Sequence, residues 1–310
     1  MPCSVPTRFS EHTSPDWVAY FNANCEPITE TAWSLEPTLT LAERDRIARS
    51  VQIFQRGESG TGSHLMKCAL TYAEQSGDEV YPQALQLFID EENRHADALG
   101  RFLDQEEISR LEREWSDSGF RRLRKLAGLE QCVVTLLAAE TIAMAYYAAL
   151  MSATGSPTLA AICRRLLADE VGHLRFQAEQ LGRLRQRRNP ITLAAARWRD
   201  RLILRGAMLL VWRTHRPVFR AAGWDFNWFE RNIFAQARVV RSHEQRQIAK
   251  LNEVSVDQVS ANQVSLNQAT TLNEKMPPTV DCSTSRRHFV AESISSHSSR
   301  SRPSGIRPTA

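Results

Sequence analysis

The residues of this chain best suited to chemistry are two Glu-x-x-His motifs. Glu92 and His95 form the first motif, and Glu170 and His173 form the second. In an α-helix, residues i and i+3 lie on one face about a turn apart, so each helix would offer a carboxylate and an imidazole to one metal centre. One such pair arises by chance in many helical proteins, and the prediction therefore depends on finding two.

Two further glutamates occupy apolar helix faces upstream of the motifs. Glu58 is in line with Val51, Phe54 and Leu65, and Glu140 lies within the run VVTLLAAETIAMAYYAAL. A buried carboxylate without compensation costs several kcal/mol, on the order of 3–5 when its partner is missing. Since a bound cation would compensate both glutamates, the order Glu, Glu-x-x-His, repeated twice, predicts a metal centre between four helices. Four carboxylates and two imidazoles suit iron or manganese better than structural zinc.

The elements that must position these residues are predicted from apolar periodicity and capping residues. Thr40 and Glu43 form a capping box at the start of the first long helix, and Ser156 with Pro157 starts the fourth. We expect an irregular N-terminal arm at 1–36, with a short helix as an option around DWVAYFNAN, and a helical metal-binding domain at 37–249. The helices are predicted over about 40–76, 79–103, 119–153, 157–188, 192–214 and 224–249, with Pro217 interrupting the chain after the fifth.

The last part of the chain changes composition. Residues 250–310 are polar, then rich in Ser and Arg, and are predicted to be a disordered tail because they bury little apolar surface. A weak helix or degenerate repeat over 251–275 is the alternative. Much of the net charge of +4 comes from the last 25 residues, so no nucleic-acid partner is expected; their arginines are Arg286, Arg287, Arg300, Arg302 and Arg307.

The segments DEENRHADAL and LADEVGHLRF resemble the motifs of the ferritin-like di-iron carboxylate superfamily. The superfamily includes ferritins, rubrerythrins and acyl-carrier-protein desaturases, and the resemblance covers about residues 40–180. It implies an all-α fold, namely an antiparallel four-helix bundle, here with about two additional C-terminal helices. It also implies two iron ions, with a manganese–iron pair as the alternative.

The resemblance implies a role for each ligand. Glu92 and Glu170 would bridge the metals, while the other ligands would be terminal: Glu58, Glu140, His95 and His173. Asp169 resembles the outer acid that hydrogen-bonds the histidine of the opposite motif. Glu91 would either do the same in the other half or be solvated.

Several residues near the predicted ligands have more than one interpretation. Gly57, Gly60 and Gly62 would serve either close helix packing or an open volume for oxygen and substrate. Tyr147 would line a pocket, carry an electron or belong to the plain core. His64 is interpreted as surface or outer-shell polarity rather than as a ligand, and the cysteines on helices as small apolar residues.

Several classes of protein are disfavoured. The N-terminus does not resemble a secretory signal, and no uninterrupted apolar run predicts a transmembrane segment. The six cysteines include no CxxC pair, which favours a cytoplasmic protein with reduced thiols. The arginine-rich segment 183–205 is interpreted as a helix that covers the bundle, with its arginines solvated or paired to the acids of 104–118. Contact with an acidic carrier or a membrane surface is the alternative.

These features together predict an oxidoreductase that uses O2. The reaction would be hydroxylation, N-oxygenation or desaturation of a small or apolar organic substrate. An electron-donor protein and a homodimer are compatible with the resemblance. The alternatives are iron or peroxide handling, as in ferritins and rubrerythrins, and a non-enzymatic helical protein stabilised by metal.

Overall fold

The computed structural model describes residues 12–25, 33–34, 36–60, 62–111 and 128–274, with side chains up to Val254. Their regular elements are all helices: α1 Ser14–Ala23, α2 Leu41–Glu58, α3 Ser63–Ser76, α4 Tyr81–Gln105, α5 Leu129–Ala153, α6 Pro157–Arg185, α7 Pro190–Ala221 and α8 Phe226–Glu274. The predicted all-α class is therefore confirmed. The predicted start of the third helix at 119 lies outside the described residues, and α5 begins at Leu129.

Four of these helices, α2, α4, α5 and α6, run antiparallel in pairs. His95 of α4 meets Asp169 of α6, whereas Glu91, earlier in α4, meets His173, later in α6. In the same way, Glu43 of α2 accepts a hydrogen bond from the backbone beyond the end of α5, and Glu58 contacts Tyr147. The middles of α4, α5 and α6 and the C-terminal end of α2 are therefore brought together.

Helix α5 is the most apolar of the set and contributes to both apolar clusters of the core. By length and composition it could cross a membrane, but 72% of its most apolar window is buried inside the protein. Such burial is typical of the central helix of a bundle. Glu140 is 4% exposed in the middle of this helix, as its apolar neighbours predicted.

The prediction of one continuous helix over 40–76 is wrong. Helix α2 ends at Glu58, and α3 begins only at Ser63. Ser59 adopts extended backbone angles, and Gly62 has a left-handed φ of +58° that favours glycine. Because helical periodicity continues across this break, the apolar pattern alone did not reveal it. The break leaves Glu58 at a helix end.

The short helix considered for DWVAYFNAN within the N-terminal arm is confirmed. Residues 14–23 form α1, with a capping box between Thr13 and Asp16 and with Pro15 in the first turn. Trp17 and Phe21 are each 1% exposed, so the helix is anchored in the core. Apolar burial of these two rings stabilises a helix too short to persist alone.

Two predictions for the C-terminal helices are also wrong. Helix α7 continues through Pro217, where the nearby Val218 and Phe219 are fully buried and offset a cost of about 3 kcal/mol. Helix α8 extends to Glu274 rather than ending near 249, since no glycine or proline interrupts 226–274. The weak helix considered for 251–275 is thus the better interpretation. The remainder of the predicted tail, 275–310, lies outside the described residues.

The chain divides into two units, Met1–Gln258 and Val259–Ala310. In the first unit, arginines of the arginine-rich segment pair, among the described residues, with acids outside 104–118. Arg185 has a fully buried side chain that contacts Glu130, Asp200 and Glu244 at 2.9, 2.7 and 3.2 Å. These ion pairs fasten α6 to α5, α7 and α8, which accounts for much of the segment's charge.

Candidate metal centre

The two Glu-x-x-His motifs face each other across the interface between α4 and α6. One ligand atom from each of Glu92, His95, Glu170 and His173 lies within 4.8 Å of the others. Nδ1 of His173 is 2.8 Å from Glu92 Oε1 and 3.4 Å from Glu170 Oε2. The two imidazole centroids are 5.4 Å apart. Spacing within each helix and the antiparallel pairing together produce this convergence.

The converging atoms are buried and, apart from the close approach of His173 Nδ1 to Glu92 Oε1, make no hydrogen bond of suitable geometry. Among the described side chains, this holds for both carboxylate oxygens of Glu170, for Glu92 Oε1 and for Nδ1 of His95 and His173. Leaving such atoms unsatisfied costs about 1–3 kcal/mol each, and buried polar groups are paired in nearly all proteins. Since all of these atoms are acceptors or titratable nitrogens, a cation fits between them. The donor set of carboxylate oxygen and imidazole nitrogen suits iron or manganese.

Each histidine is oriented by an acid from the opposite helix. Nε2 of His95 lies 3.1 Å from Asp169 Oδ2, and Nε2 of His173 lies 3.1 Å from Glu91 Oε2. In each case the outer nitrogen is engaged, which directs Nδ1 toward the glutamates. Asp169 thus occupies the place that the resemblance implied. Glu91 is 1% exposed, so the solvated alternative for it is wrong.

Arginines balance the charge of these outer acids. Arg165 Nε donates to Asp169 Oδ2 over 2.9 Å, and Arg94 Nη2 lies 3.5 Å from Glu91 Oε1. Although burial opposes it, the hydrogen bonds from His95, Asn24 and Arg165 lower the pKa of Asp169 to about 2. Asp169 is therefore an anion at neutral pH and holds His95 as a hydrogen-bond acceptor.

Asn24 joins the two halves of this outer layer and was missed by the sequence analysis. Its Nδ2 donates to Glu91 Oε1 over 2.6 Å and to Asp169 Oδ1 over 2.9 Å. It lies at the C-terminal end of α1, in a segment interpreted as an irregular arm. No local pattern marks it, because its partners are 67 and 145 residues away.

Glu58 and Glu140 lie beside the four converging residues, although neither belongs to the group within 4.8 Å. Glu140 faces Glu170, and both Glu58 and Glu140 act on Glu92 electrostatically. Tyr147, buried in α5, donates a short hydrogen bond from its hydroxyl to Glu58 Oε1. The structure therefore brings all six predicted ligands into one region, with Tyr147 positioning Glu58.

Without a cation, the carboxylates of this cluster resist ionisation. Burial, reinforced by Glu140 and Glu58, raises the pKa of Glu92 to about 8. Burial raises the pKa of Glu170 to about 7, and burial together with Glu170 raises the pKa of Glu140. Burial alone would lower the pKa of His173, but Glu92 and Glu170 raise it. A site that must hold protons when empty is one that bound cations would stabilise.

No protein-family model, curated protein or solved structure matches this chain.

A cavity of about 340 Å³ adjoins Glu58, Glu92 and Glu140. Its wall is mostly apolar, with residues from α2, α4, α5 and α7 such as Phe54, Leu136, Ala143, Leu210 and Val211. A side chain added at Gly57 or Gly60 would meet no atom within 4 Å, whereas one at Gly62 would collide with Ile89. The open-volume interpretation therefore applies to Gly57 and Gly60, and close packing applies to Gly62.

The cavity wall also carries a few polar groups, among them Thr135, Thr214 and His215. His215 is 3% exposed, and burial lowers its pKa to about 3, so the ring is neutral. Its Nδ1 lies 2.7 Å from Ser50 Oγ, which in turn lies 3.0 Å from the Tyr146 hydroxyl. This chain holds the His215 ring in place as a neutral polar group. Sequence reasoning missed it because His215 follows the predicted fifth helix.

Substitution of Asp169 by asparagine should weaken metal binding about 10- to 100-fold while the fold is retained. The amide would no longer accept from His95 as an anion, so the imidazole would lose both its orientation and part of its basicity. Affinity is measured by competition between the chain and a chromophoric chelator for Fe²⁺ under anaerobic conditions. Asp90→Asn, on the exposed face of α4, is the matched control. Equal affinities for the two variants would contradict a role for Asp169.

Substitution of Gly172 by alanine should displace α1 from the centre. A Cβ at Gly172 would collide with the hydroxyl and ring of Tyr20, which packs directly over α6. We expect a loss of about 1–3 kcal/mol in the free energy of unfolding, measured by urea denaturation. Gly206→Ala is the control, since nothing lies within 4 Å of its Cβ and helix propensity should favour alanine. Similar effects of both substitutions would refute this packing argument.

Proposed function

We propose that this chain is a non-haem di-iron carboxylate oxidoreductase that uses O2 to oxidise an apolar organic substrate. The observation that carries the proposal is the convergence of buried ligand atoms from Glu92, His95, Glu170 and His173 within 4.8 Å of one another, beside a mostly apolar cavity. We further propose that α2, α4, α5 and α6 form a ferritin-like bundle. The antiparallel pairing and the resemblance of both motifs support that assignment.

Charge balance supports two divalent ions rather than one. Four carboxylates (Glu58, Glu92, Glu140 and Glu170) would neutralise two divalent cations, while both histidines would bind as neutral imidazoles. The outer acids do not disturb this balance, because Asp169 and Glu91 face Arg165 and Arg94. A single ion would leave two carboxyl groups that must stay protonated at neutral pH, whereas two ions would let all four ionise as ligands.

The chemistry supplied by two bound ferrous ions would be the reduction of O2. The chain's own residues would do the rest. Glu58 would be held by the Tyr147 hydroxyl, and each histidine by an outer acid. The apolar wall would exclude water and favour an apolar substrate, since each buried CH2 contributes about 0.8 kcal/mol. His215 and Thr214 would offer the polar contacts that orient the substrate.

The cavity favours an oxygenase over iron storage or peroxide handling. Storage requires a polar route for repeated passage of iron, whereas the wall beside Glu58 and Glu140 is mainly apolar. The volume of about 340 Å³ suits a small organic molecule. Hydroxylation, N-oxygenation and desaturation remain equivalent proposals, because all of them would use the same ligands and the same apolar volume.

The experiment is aerobic addition of Fe²⁺ to the apo-protein with an oxygen electrode and an iron assay. We expect uptake to stop at two ions per chain and O2 consumption to increase when substrate-sized apolar compounds and a reductant are supplied. Glu140→Gln should abolish O2 consumption, and Glu74→Gln, at an exposed position of α3, should not. Continued mineralisation beyond two ions would favour storage. The absence of O2 consumption despite two bound ions would contradict the oxidoreductase.

A further inference from the structure

Three soft ligands cluster where α3 packs against α5, outside the carboxylate centre. His64 and Cys68 stand at i and i+4 on α3, and Cys132 lies near the start of α5. One ligand atom from each of the three lies within 4.8 Å of the others. Cys68 and Cys132 are thiols rather than a disulfide. From the sequence alone, His64 is interpreted as surface or outer-shell polarity and the two cysteines as small apolar residues.

The spacing of the cluster suits a tetrahedral metal ion. Nε2 of His64 lies 3.6 Å from Sγ of Cys68. Zn–S and Zn–N bonds of about 2.3 and 2.0–2.1 Å at a tetrahedral angle place the two ligand atoms about 3.6 Å apart. Two of the three ligands therefore already have the required separation, and they occupy one face of a single helix.

We propose that His64, Cys68 and Cys132 bind one Zn²⁺ ion, independently of the carboxylate centre. Thiolate and imidazole ligands prefer Zn²⁺ to the iron or manganese that carboxylates favour, so the two centres would select different metals. Binding would form three metal–ligand bonds and release the two thiol protons to solvent. The ion would also cross-link α3 to α5.

The fourth position of this ion would face the cavity. His64 and Cys132 both line the cavity, and Cys132 is 1% exposed, whereas His64 and Cys68 are half-buried. Three protein ligands and one position open to a cavity are typical of zinc sites that accept water or an exogenous ligand. The ion would thus hold α3 just beyond the break at 59–62 and add a polar ligand position to a mostly apolar wall.

The test is titration of the reduced, full-length apo-protein with Cd²⁺ as a spectroscopic substitute for Zn²⁺. Thiolate-to-cadmium absorption should saturate at one ion per chain, with release of two protons. Cys68→Ser and Cys132→Ala should each weaken binding about 100-fold or more, because loss of a ligand should exceed the 10- to 100-fold effect of losing an outer-shell partner. Cys25→Ser, at an exposed cysteine, is the control and should bind like wild type.

Independence from the proposed di-iron centre is tested in the Glu170→Gln variant. This variant should keep the thiolate absorption and its stoichiometry, so failure of one site can be distinguished from failure of the other. Because the side chain of Cys68 is only half-buried, Cys68→Ser should remain folded, and circular dichroism checks this. No thiolate absorption in wild type, or unchanged binding by Cys68→Ser, would overturn the proposal. A Cys68–Cys132 disulfide in chain isolated under reducing conditions would also overturn it.

Discussion

Ferrous iron at about 1,000 times its Kd should raise the free energy of unfolding of the wild-type chain by about 4 kcal/mol for each bound ion, or about 8 kcal/mol for two. The gain should be lost in Glu170→Gln. Both oxygens of Glu170 are fully buried without a hydrogen-bond partner, and the carboxylate lies within 3.4 Å of His173 Nδ1. Only the folded chain assembles these ligands, so the binding free energy becomes folding free energy. The measurement is anaerobic urea denaturation with Fe²⁺ and with excess chelator.

The same substitution should have a different effect on the apo-protein. In the absence of metal, Glu170 is one more acid in a cluster where burial disfavours the charged form. The amide of a glutamine at this position carries no charge and so avoids this cost. Glu170→Gln should therefore be as stable as wild type, or more stable, in chelator. Glu74→Gln should gain as much from iron as wild type. Equal stabilisation of Glu170→Gln and wild type by iron would contradict the assignment of Glu170 as a ligand.

The stability of the apo-protein should fall as the pH rises from 6.5 to 8. The folded chain holds Glu92 with a pKa of about 8 against an ordinary value of 4.5, so in this range it keeps a proton that the unfolded chain has lost. The pKa of His173 is also raised, so its contribution is complete below its ordinary value of 6.5 and is lost at higher pH. For each proton that only the folded chain retains, the free energy of unfolding falls by about 2 kcal/mol between pH 6.5 and 8.

Groups with lowered pKa values do not reverse this trend. Burial lowers the pKa of His215 from 6.5 to about 3. The unfolded chain therefore binds a proton at this histidine that the folded chain does not, and stability is lost on this account only as the pH falls below about 6.5. The contribution of Asp169, with its pKa near 2, is constant at neutral pH. Glu92→Gln should therefore flatten the dependence, as measured by urea denaturation at several pH values in chelator. A wild-type stability that rises over this range, or an equal slope in Glu92→Gln, would contradict the protonated cluster.

The site was predictable from the sequence wherever it depends on spacing within one helix. The two motifs and Glu140 lie on faces that helical periodicity defines, and the structure places all of them in one region. Asp169 was found through the resemblance rather than through periodicity. Asn24 was not predictable in either way, because its two contacts depend on how α1 docks over α4 and α6.

The fold was predictable in class but not at its interruptions. The apolar pattern of a helix continues from Thr40 to Ser76. In the structure, however, α2 ends at Glu58 and the next helix begins at Ser63, after Gly62 with its left-handed backbone. At Pro217 the sequence predicts a break that the structure does not have, because the buried neighbours of Pro217 keep α7 helical. In both cases the deciding effect is tertiary. At the break after Glu58 it is the open space beside the cavity, and at Pro217 it is the packing of Phe219. Local propensity does not contain them.

The most direct test of the central claim is the anomalous scattering of crystals grown anaerobically with Fe²⁺. Data collected on either side of the iron absorption edge locate each ion without reference to activity. We expect two peaks about 3.5–4 Å apart, between Glu92 and Glu170 and within bonding distance of His95 and His173. No peak at this position, or iron bound only at surface carboxylates, would contradict the di-iron centre.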